Sequence, residues 1–507
     1  MGADVKAIVF ARGHDLGAAA PRPRVSANEC PLEQGVDIRA HEAGALHGND
    51  LVPQWLPHPS DVNHLIEGLW SAKTTRNARG EVEIAGVGVS AIKERFGTPT
   101  FVIDEEDFRS RARLFRDTFE RAFEPLAGVD MSYAGKAFLS IAIARWVRED
   151  GLGLDVCSGG ELAIALRAGS DASRLTFHGN NKSDAELTLA VETGVGRIVI
   201  DSLDEIDRLN AIATRLGTSQ PVLLRVTSGV EAHTHEFIST AHEDQKFGIS
   251  ITTGDALEAI QRAEAADALR LEGLHSHIGS QIFDTNGFEV AARRVLALAK
   301  EGREAIGRPI THIVLGGGFG VMYTTQNTPR TAKQLARQLA AIVENSCRAL
   351  ELEIPRTGFE PGRAIAGPST QTLYTVGTLK EVELGAGQQR LYVSIDGGMS
   401  DNIRTALYDA DYSCLLSNRT SEVEPRVVRV VGKHCESGDI VVKDEYLPAD
   451  VRRGDLISVP VTGAYCYALA SNYNCALKPA VVSVKDGEMS EMIRRETLED
   501  LLARDLG

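Results

Sequence analysis

The stretch Arg197-Ile198-Val199-Ile200-Asp201-Ser202-Leu203-Asp204-Glu205 joins two elements with no linker between them. Its first half is a short β-branched run, which fits a strand covered on both faces. Its second half, Ser202 to Glu205, is S-x-x-E. In that signal the serine oxygen accepts from the N3 amide and the glutamate reaches back to the cap amide. The helical pattern then runs to Gly217, a residue that tolerates a left-handed stop. The unit recurs. Gly153 to Cys157 leads into Ser158-Gly159-Gly160-Glu161 and a helix closing at Gly169. Leu175 to His178 leads into Ser183-Asp184-Ala185-Glu186 and Gly194.

Further runs of the same kind lie at Met131–Ala134, Val222–Val226, Leu271–His275, His312–Leu315 and Arg356–Glu360, making eight. Eight strands with helical crossovers predict an α/β chain built on a (β/α)8 barrel over about 105–370. An open doubly wound sheet is the competing architecture. After Gln371 the texture changes. Leu373–Val376, Leu391–Ile395, Val427–Val431 and Leu456–Val459 are strand-like and long helical patterns are fewer, so 371–507 reads as a mainly β domain. Within 59–104, residues 80–104 also read as strand and turn, and this segment is expected to pair with the β domain. Residues 1–58 carry Pro21, Pro23, Pro53 and Pro57 with no sustained period, and read as a disordered extension.

Composition sets outer bounds. The chain has 507 residues, 43% hydrophobic and 24% charged, enough for about two to four domains. Against 54 Lys and Arg stand 70 Asp and Glu, a net charge of −16. That balance argues against nucleic acid or an anionic membrane as partner, but leaves room for a small basic pocket. No apolar run of transmembrane length occurs, and Met1–Ala20 makes a poor signal peptide. The seven cysteines are scattered without a CxxC pair, which suggests reduced thiols and a cytoplasmic protein.

Barrel enzymes build their sites at the C-terminal ends of the strands. Lys136, Asp155, His178, Asn180, His277, Gly316–Gly318 and Glu360–Arg363 all fall there. A partly desolvated Lys136 could form a Schiff base; the plainer reading is a solvated loop lysine. Leu315-Gly316-Gly317-Gly318-Phe319-Gly320 could offer amides to a phosphate, or be a flexible turn. Glu360-Pro361-Gly362-Arg363 follows the last strand, where barrels often hold phosphate. His275-Ser276-His277 could hold a metal, but no convincing carboxylate-plus-histidine set completes it, and no metal is expected. Lys433-His434-Cys435-Glu436-Ser437-Gly438-Asp439 offers a cysteine beside His and Lys that could act as an acid, or is a surface turn. Arg404 and Tyr408, at i and i+4, could share one face and hold a carboxylate, or be a solvated helix face.

Taken together, Tyr133-Ala134-Gly135-Lys136-Ala137, His275-Ser276-His277-Ile278-Gly279-Ser280-Gln281, Gly316–Gly318, Glu360–Arg363 and Gly432–Asp439 resemble the diaminopimelate decarboxylases. These are pyridoxal 5'-phosphate enzymes with the alanine-racemase-type fold (fold type III, the group IV decarboxylases). The resemblance covers about Trp70 to the C-terminus. It implies a barrel plus a β domain, a homodimer with shared active sites, and conversion of meso-2,6-diaminopimelate to L-lysine and CO2, the last step of lysine biosynthesis. It implies Lys136 as the Schiff-base lysine, His277 stacked on the pyridine ring, and Gly279, Ser280 and Gly316–Gly318 around the phosphate. Glu360 would bind the ring nitrogen, with Asp155, Gly362 and Arg363 also at the cofactor. Arg363, Arg404 and Tyr408 would bind substrate carboxylates, and Tyr465 would touch cofactor and substrate. Cys435 would be the proton donor and Glu436 the partner of the distal ammonium, both reaching across the dimer. Gly135 stands where the family often has a bulkier residue, which predicts a looser lysine loop. The alternatives are a decarboxylase of another basic amino acid, of arginine or ornithine type, and a non-catalytic pyridoxal-phosphate-binding protein.

Overall fold

The computed structural model describes residues 52–229, 246–385 and 388–507. Of the expected N-terminal extension, residues 1–51 lie outside the described residues. Within 52–58, Leu56 is buried and the His58 ring packs edge-on against Tyr446.

Strand β1 (Thr100–Asp104) comes before the barrel, and Asp104 caps helix α1 (Glu105–Phe123) by accepting from the Asp107 amide. Eight strands follow: β2 (Val129–Ala134), β3 (Gly153–Val156), β4 (Leu175–Phe177), β5 (Arg197–Ile200), β6 (Gln220–Thr227), β7 (Leu269–His275), β8 (His312–Val314) and β9 (Arg356–Phe359). All pair in parallel with their neighbours in sequence, and β9 returns to β2 in the register Thr357↔Val129, Gly358↔Asp130, Phe359↔Met131. That pairing closes the barrel and removes the open sheet from contention. Helices α2 (Ile141–Glu149), α3 (Gly159–Arg167), α4 (Asp184–Thr193), α5 (Leu203–Leu216), α6 (Asp255–Ala265), α7 (Asn286–Ile306) and α8 (Ala332–Leu350) alternate with the strands.

The three S-x-x-E signals all start helices, but they are not chemically equal. Ser183 and Glu186 at α4 make the full reciprocal box. At α3 and α5 the serine accepts from N3 as expected, yet the glutamate passes the cap and takes the amide before it. Glu161 accepts from the Cys157 amide, and Glu205 from that of Asp201. The reason at α5 is a stronger partner. Glu205 also holds Lys182, whose Nζ lies 2.7 Å from Oε1, with side chains only 1% and 3% exposed. Lys182 donates further to the carbonyls of Gly179 and Val199, tying the β4 loop to β5.

The second domain is a sheet of β10 (Thr370–Gly385), β11 (Gln388–Ile395), β12 (Pro425–Val431), β13 (Ile440–Pro448), β14 (Leu456–Pro460), β15 (Ala480–Lys485) and β16 (Glu488–Ile493). β1 lies inside it, antiparallel to β10 and parallel to β15. The barrel is therefore bracketed by two strands of one sheet, β1 before it and β10 after it. No helix among the described residues is long and apolar enough to cross a membrane.

The buried Lys182–Glu205 pair gives a stability test. Removing one partner of such a pair leaves an uncompensated buried charge and costs about 3–5 kcal/mol. Glu205→Ala is expected to lower the free energy of unfolding by that amount in chemical denaturation. A change under about 1 kcal/mol, the range of exposed pairs, would contradict it.

Candidate active site

The strand ends converge on one pocket lined by Ala134, Gly135, Lys136, Asp155, Cys157, His178, Arg225, His275, His277, Ser280, Gly318, Glu360, Gly362, Arg363 and Tyr465. Lys136 sits in a short 3-10 turn directly after β2 and is exposed, because the pocket opens to solvent at that point. The turn is packed rather than loose. A Cβ on Gly135 would stand 2.7 Å from the carbonyl oxygen of Asp155, so this glycine lets the lysine turn close onto the end of β3.

Glu360 follows β9, whose last residue Phe359 packs edge-on against Phe119 of α1 at 4.9 Å. Its carboxylate accepts from His275 Nε2 at 3.1 and 3.2 Å. His178 Nε2 stands 3.7 Å from both Glu360 Oε1 and Asp155 Oδ1. Burial opposes the charged form of Glu360. The nearby His275 ring and its hydrogen bond outweigh it, and the carboxyl is held well below the usual carboxylate range. His178 is pushed down to about 3, chiefly by burial, so at neutral pH it carries no charge and His275 is the working donor. Asp155 moves the other way. Burial, then the Glu360 charge, pushes its carboxyl well above the usual range. The two neighbouring carboxyls are thus pushed in opposite directions. Enclosure and the Lys136 and Arg225 charges keep His277 well below the usual histidine value.

The glycine run is a close-packed turn. A Cβ on Gly316 would lie 2.7 Å from His277 Nδ1, and one on Gly317 would lie 2.1 Å from the Glu360 carbonyl oxygen. One on Gly318 would meet the Gly279 carbonyl. Phe319 anchors the turn from behind, against Phe115, Phe119 and Phe288.

Arg363 donates from Nε and Nη2 to Ser280 Oγ (3.2 and 2.8 Å) and from Nη1 to the Tyr323 hydroxyl at 2.5 Å. Its guanidinium lies over the Tyr465 ring. Arg404 and Tyr408 line a second, adjoining cavity with Tyr323. Arg404 is buried, not on a solvated face. Cys435 and Glu436 are exposed and do not line the pocket of their own chain. Their turn is firmly built. Buried Asp439 accepts from the His434 and Met399 amides, and His434 Nε2 bonds Ser400 Oγ. The turn presents Cys435 and Glu436 outward.

Several site residues escaped the sequence reading. Arg225 is one, a cation inside the apolar run of β6. His275 touches Glu360 directly. Tyr323 lies in irregular chain after the glycine run. The carboxylate-plus-histidine set that the sequence did not offer does exist. His178, His275 and Glu360 bring their ligand atoms within 4.8 Å of one another, because β4, β7 and β9 end at the same level.

Residues 107–367 match the family model of the pyridoxal-dependent decarboxylase pyridoxal-binding domain, and residues 368–463 that of its C-terminal sheet domain. The diaminopimelate decarboxylase of Mycobacterium tuberculosis (strain H37Rv) is 53% identical over 449 residues, 88% of this chain and 99% of its own. That of Bacillus subtilis is 43% identical over 431 residues, 85% of this chain and 96% of its own. The chain belongs to the diaminopimelate decarboxylase family. Two solved diaminopimelate decarboxylases agree in fold. The M. jannaschii structure, in co-complex with L-lysine, has a TM-score of 0.79 at 30% identity, covering 86% of this chain and 98% of that one. The Helicobacter pylori structure, complexed with L-lysine, has a TM-score of 0.73 at 28% identity, covering 82% and 98%.

The pocket of this diaminopimelate decarboxylase family member fits pyridoxal phosphate on its own chemistry. An amine for the aldehyde, an anionic carboxylate for the ring nitrogen, and a crowded glycine turn with Ser280 for the phosphate all converge. His178 Nε2 is buried there with no hydrogen-bond partner among the described residues, as expected of a group that meets a ligand.

His178 also makes a pH prediction. Its folded value of about 3 lies below the ordinary 6.5, so between those values the unfolded chain binds the extra proton. Stability therefore falls as pH drops below 6.5, by about 1.4 kcal/mol per pH unit for this group. His178→Gln should flatten the decline of thermal stability of the cofactor-free protein between pH 6.5 and 4.5. An unchanged slope would contradict the burial of a neutral ring.

Proposed function

We propose that the protein decarboxylates meso-2,6-diaminopimelate to L-lysine and CO2, the last step of lysine biosynthesis. It does so with pyridoxal phosphate, as a homodimer in the cytoplasm. The observation that carries the substrate is a pair of buried guanidinium groups. Arg363 and Arg404 are 5% and 4% exposed, yet neither has a carboxylate partner among the described residues. A buried unpaired cation is expensive. A substrate that brings a carboxylate beyond the one it loses offsets that cost. L-lysine, L-ornithine and L-arginine have no such second carboxylate.

When bound, pyridoxal phosphate supplies the electron sink that takes the pair left at Cα when the bond to CO2 breaks. The chain's own groups do the rest. Lys136, at the mouth of the pocket, would be the amine that holds the cofactor aldehyde. Anionic Glu360, fixed by His275, keeps the ring nitrogen protonated and the sink strong. Asp155, His277, Gly362 and Tyr465 shape the cofactor seat, and Gly279, Ser280 and Gly316–Gly318 surround the phosphate. Arg363, Arg404 and Tyr408 orient the substrate through parts remote from the reacting bond. Cys435 delivers the proton that replaces CO2 at Cα, and Glu436 takes the distal ammonium. Both act in the site of a second copy, a reading supported by their place on an outward turn away from their own pocket. The cytoplasmic reading is supported by Cys157, Cys347, Cys414, Cys435, Cys466 and Cys475 all being free.

A substrate panel tests the proposal. A site whose buried polar groups are left unpaired by the wrong substrate discriminates by about 10⁴-fold. Turnover of meso-diaminopimelate should exceed that of lysine, ornithine and arginine by about this factor, and faster turnover of ornithine or arginine would overturn the assignment. Lys136→Ala should abolish CO2 release, and Cys435→Ala should slow it by about 10²–10⁴-fold. Mixing the two inactive proteins should restore activity through heterodimers. No recovery despite demonstrated subunit exchange would refute the shared site.

A further inference from the structure

Tyr323 lies between the two guanidinium groups. It is 5% exposed, and Arg363 Nη1 donates to its hydroxyl at 2.5 Å. Its ring carries the Arg404 guanidinium 4.6 Å from the centroid. An Arg has no acceptor, so the Tyr323 oxygen must accept, and its own proton is turned away from Arg363. No acceptor for that proton is present among the described residues. Tyr412 makes the contrast. It accepts from Arg404 Nη1 at 2.5 Å, and its oxygen lies 3.3 Å from Cys466 Sγ, so its hydroxyl is used on both sides. Tyr323 stands edge-on to Tyr412, with centroids 5.2 Å apart, and lines the cavity shared with Arg404 and Tyr408. Arg404 Nε is also buried there without a hydrogen-bond partner among the described residues. The Tyr323 hydroxyl hydrogen and the Arg404 Nε hydrogen thus remain for a ligand, between two cations.

We propose that Tyr323 is a specificity-determining binding residue: it donates its hydroxyl proton to a substrate carboxylate lodged between Arg363 and Arg404, while its ring face holds Arg404 in place. This rests on the reading of both arginines as carboxylate ligands. The ring keeps the two like charges at a fixed separation. The hydroxyl, oriented by Arg363, adds a donor that only a substrate with a carboxylate at this point can use. A substrate lacking that group leaves Tyr323 and Arg404 unsatisfied, so the pair selects by chemistry as well as by size.

The test uses the holoenzyme and Tyr323→Phe, which keeps the ring and removes the hydroxyl. The probes are pimelate, a seven-carbon diacid without amines, and L-norleucine, which has an α-carboxylate but no second one. Hydrogen bonds to charged groups are worth about tenfold or more in affinity. Titration calorimetry should show pimelate binding weakened by about tenfold or more in Tyr323→Phe, with norleucine within about twofold. KM for meso-diaminopimelate should rise in parallel with pimelate, and kcat should stay within about threefold. Cofactor content and thermal midpoint equal to wild type would show that the variant folds. Pimelate binding within about twofold of wild type would overturn the proposal, as would equal weakening of both probes. Should the wild type release no lysine, the functional reading fails, while the pimelate titration still decides on Tyr323.

Discussion

The contact on which the site depends is the one between His275 and Glu360. A carboxylate this enclosed tends to take up a proton, and its neighbour Asp155 is pushed that way. Glu360 stays ionised because His275 Nε2 donates to both its oxygens. That donation requires β7 and β9 to end at the same height, and closure of the barrel puts them there. Charge, geometry and topology are therefore one constraint. A shift of a single residue in either strand would turn the imidazole away and leave two competing acids in one pocket.

The rest of the architecture holds that end of the barrel still. The glycine turn after β8 leaves no room for side chains, and Phe319 pins it to α1 and α7. Phe359, one residue before Glu360, packs on Phe119 and Phe123 of the same helix. The α1 helix is itself fixed by Asp104 at the end of β1, which is embedded in the second domain's sheet. The sheet domain thus steadies the catalytic end of the barrel as well as carrying Arg404, Tyr408, Cys435 and Glu436.

Much of this was legible in the sequence, for reasons that differ by element. The barrel strands are short runs bounded by turn residues, and β3 and β5 are followed at once by helix starts; local patterns of that kind survive folding. Lys136, the glycine run and Glu360–Arg363 were legible because strand ends are where a barrel keeps its chemistry. Arg225 was hidden because a cation within an apolar strand gives no signal until the neighbouring strand ends are known. Tyr323 was hidden because its role depends on two arginines 41 positions apart in sequence, Arg363 and Arg404, reaching it from different domains. At Ser158 and Ser202 the S-x-x-E pattern marks the helix start but not where the glutamate binds. The sequence does not reveal that Lys182 sits within reach of Glu205.

The account stands on an ionised Glu360 holding the cofactor ring nitrogen in its protonated state. The most direct measurement is the nitrogen-15 chemical shift of ring-labelled pyridoxal phosphate bound to the protein, taken between pH 7 and 8. The account predicts a pyridinium shift in the wild type and an unprotonated pyridine shift in Glu360→Ala. An unprotonated ring in the wild type would contradict it.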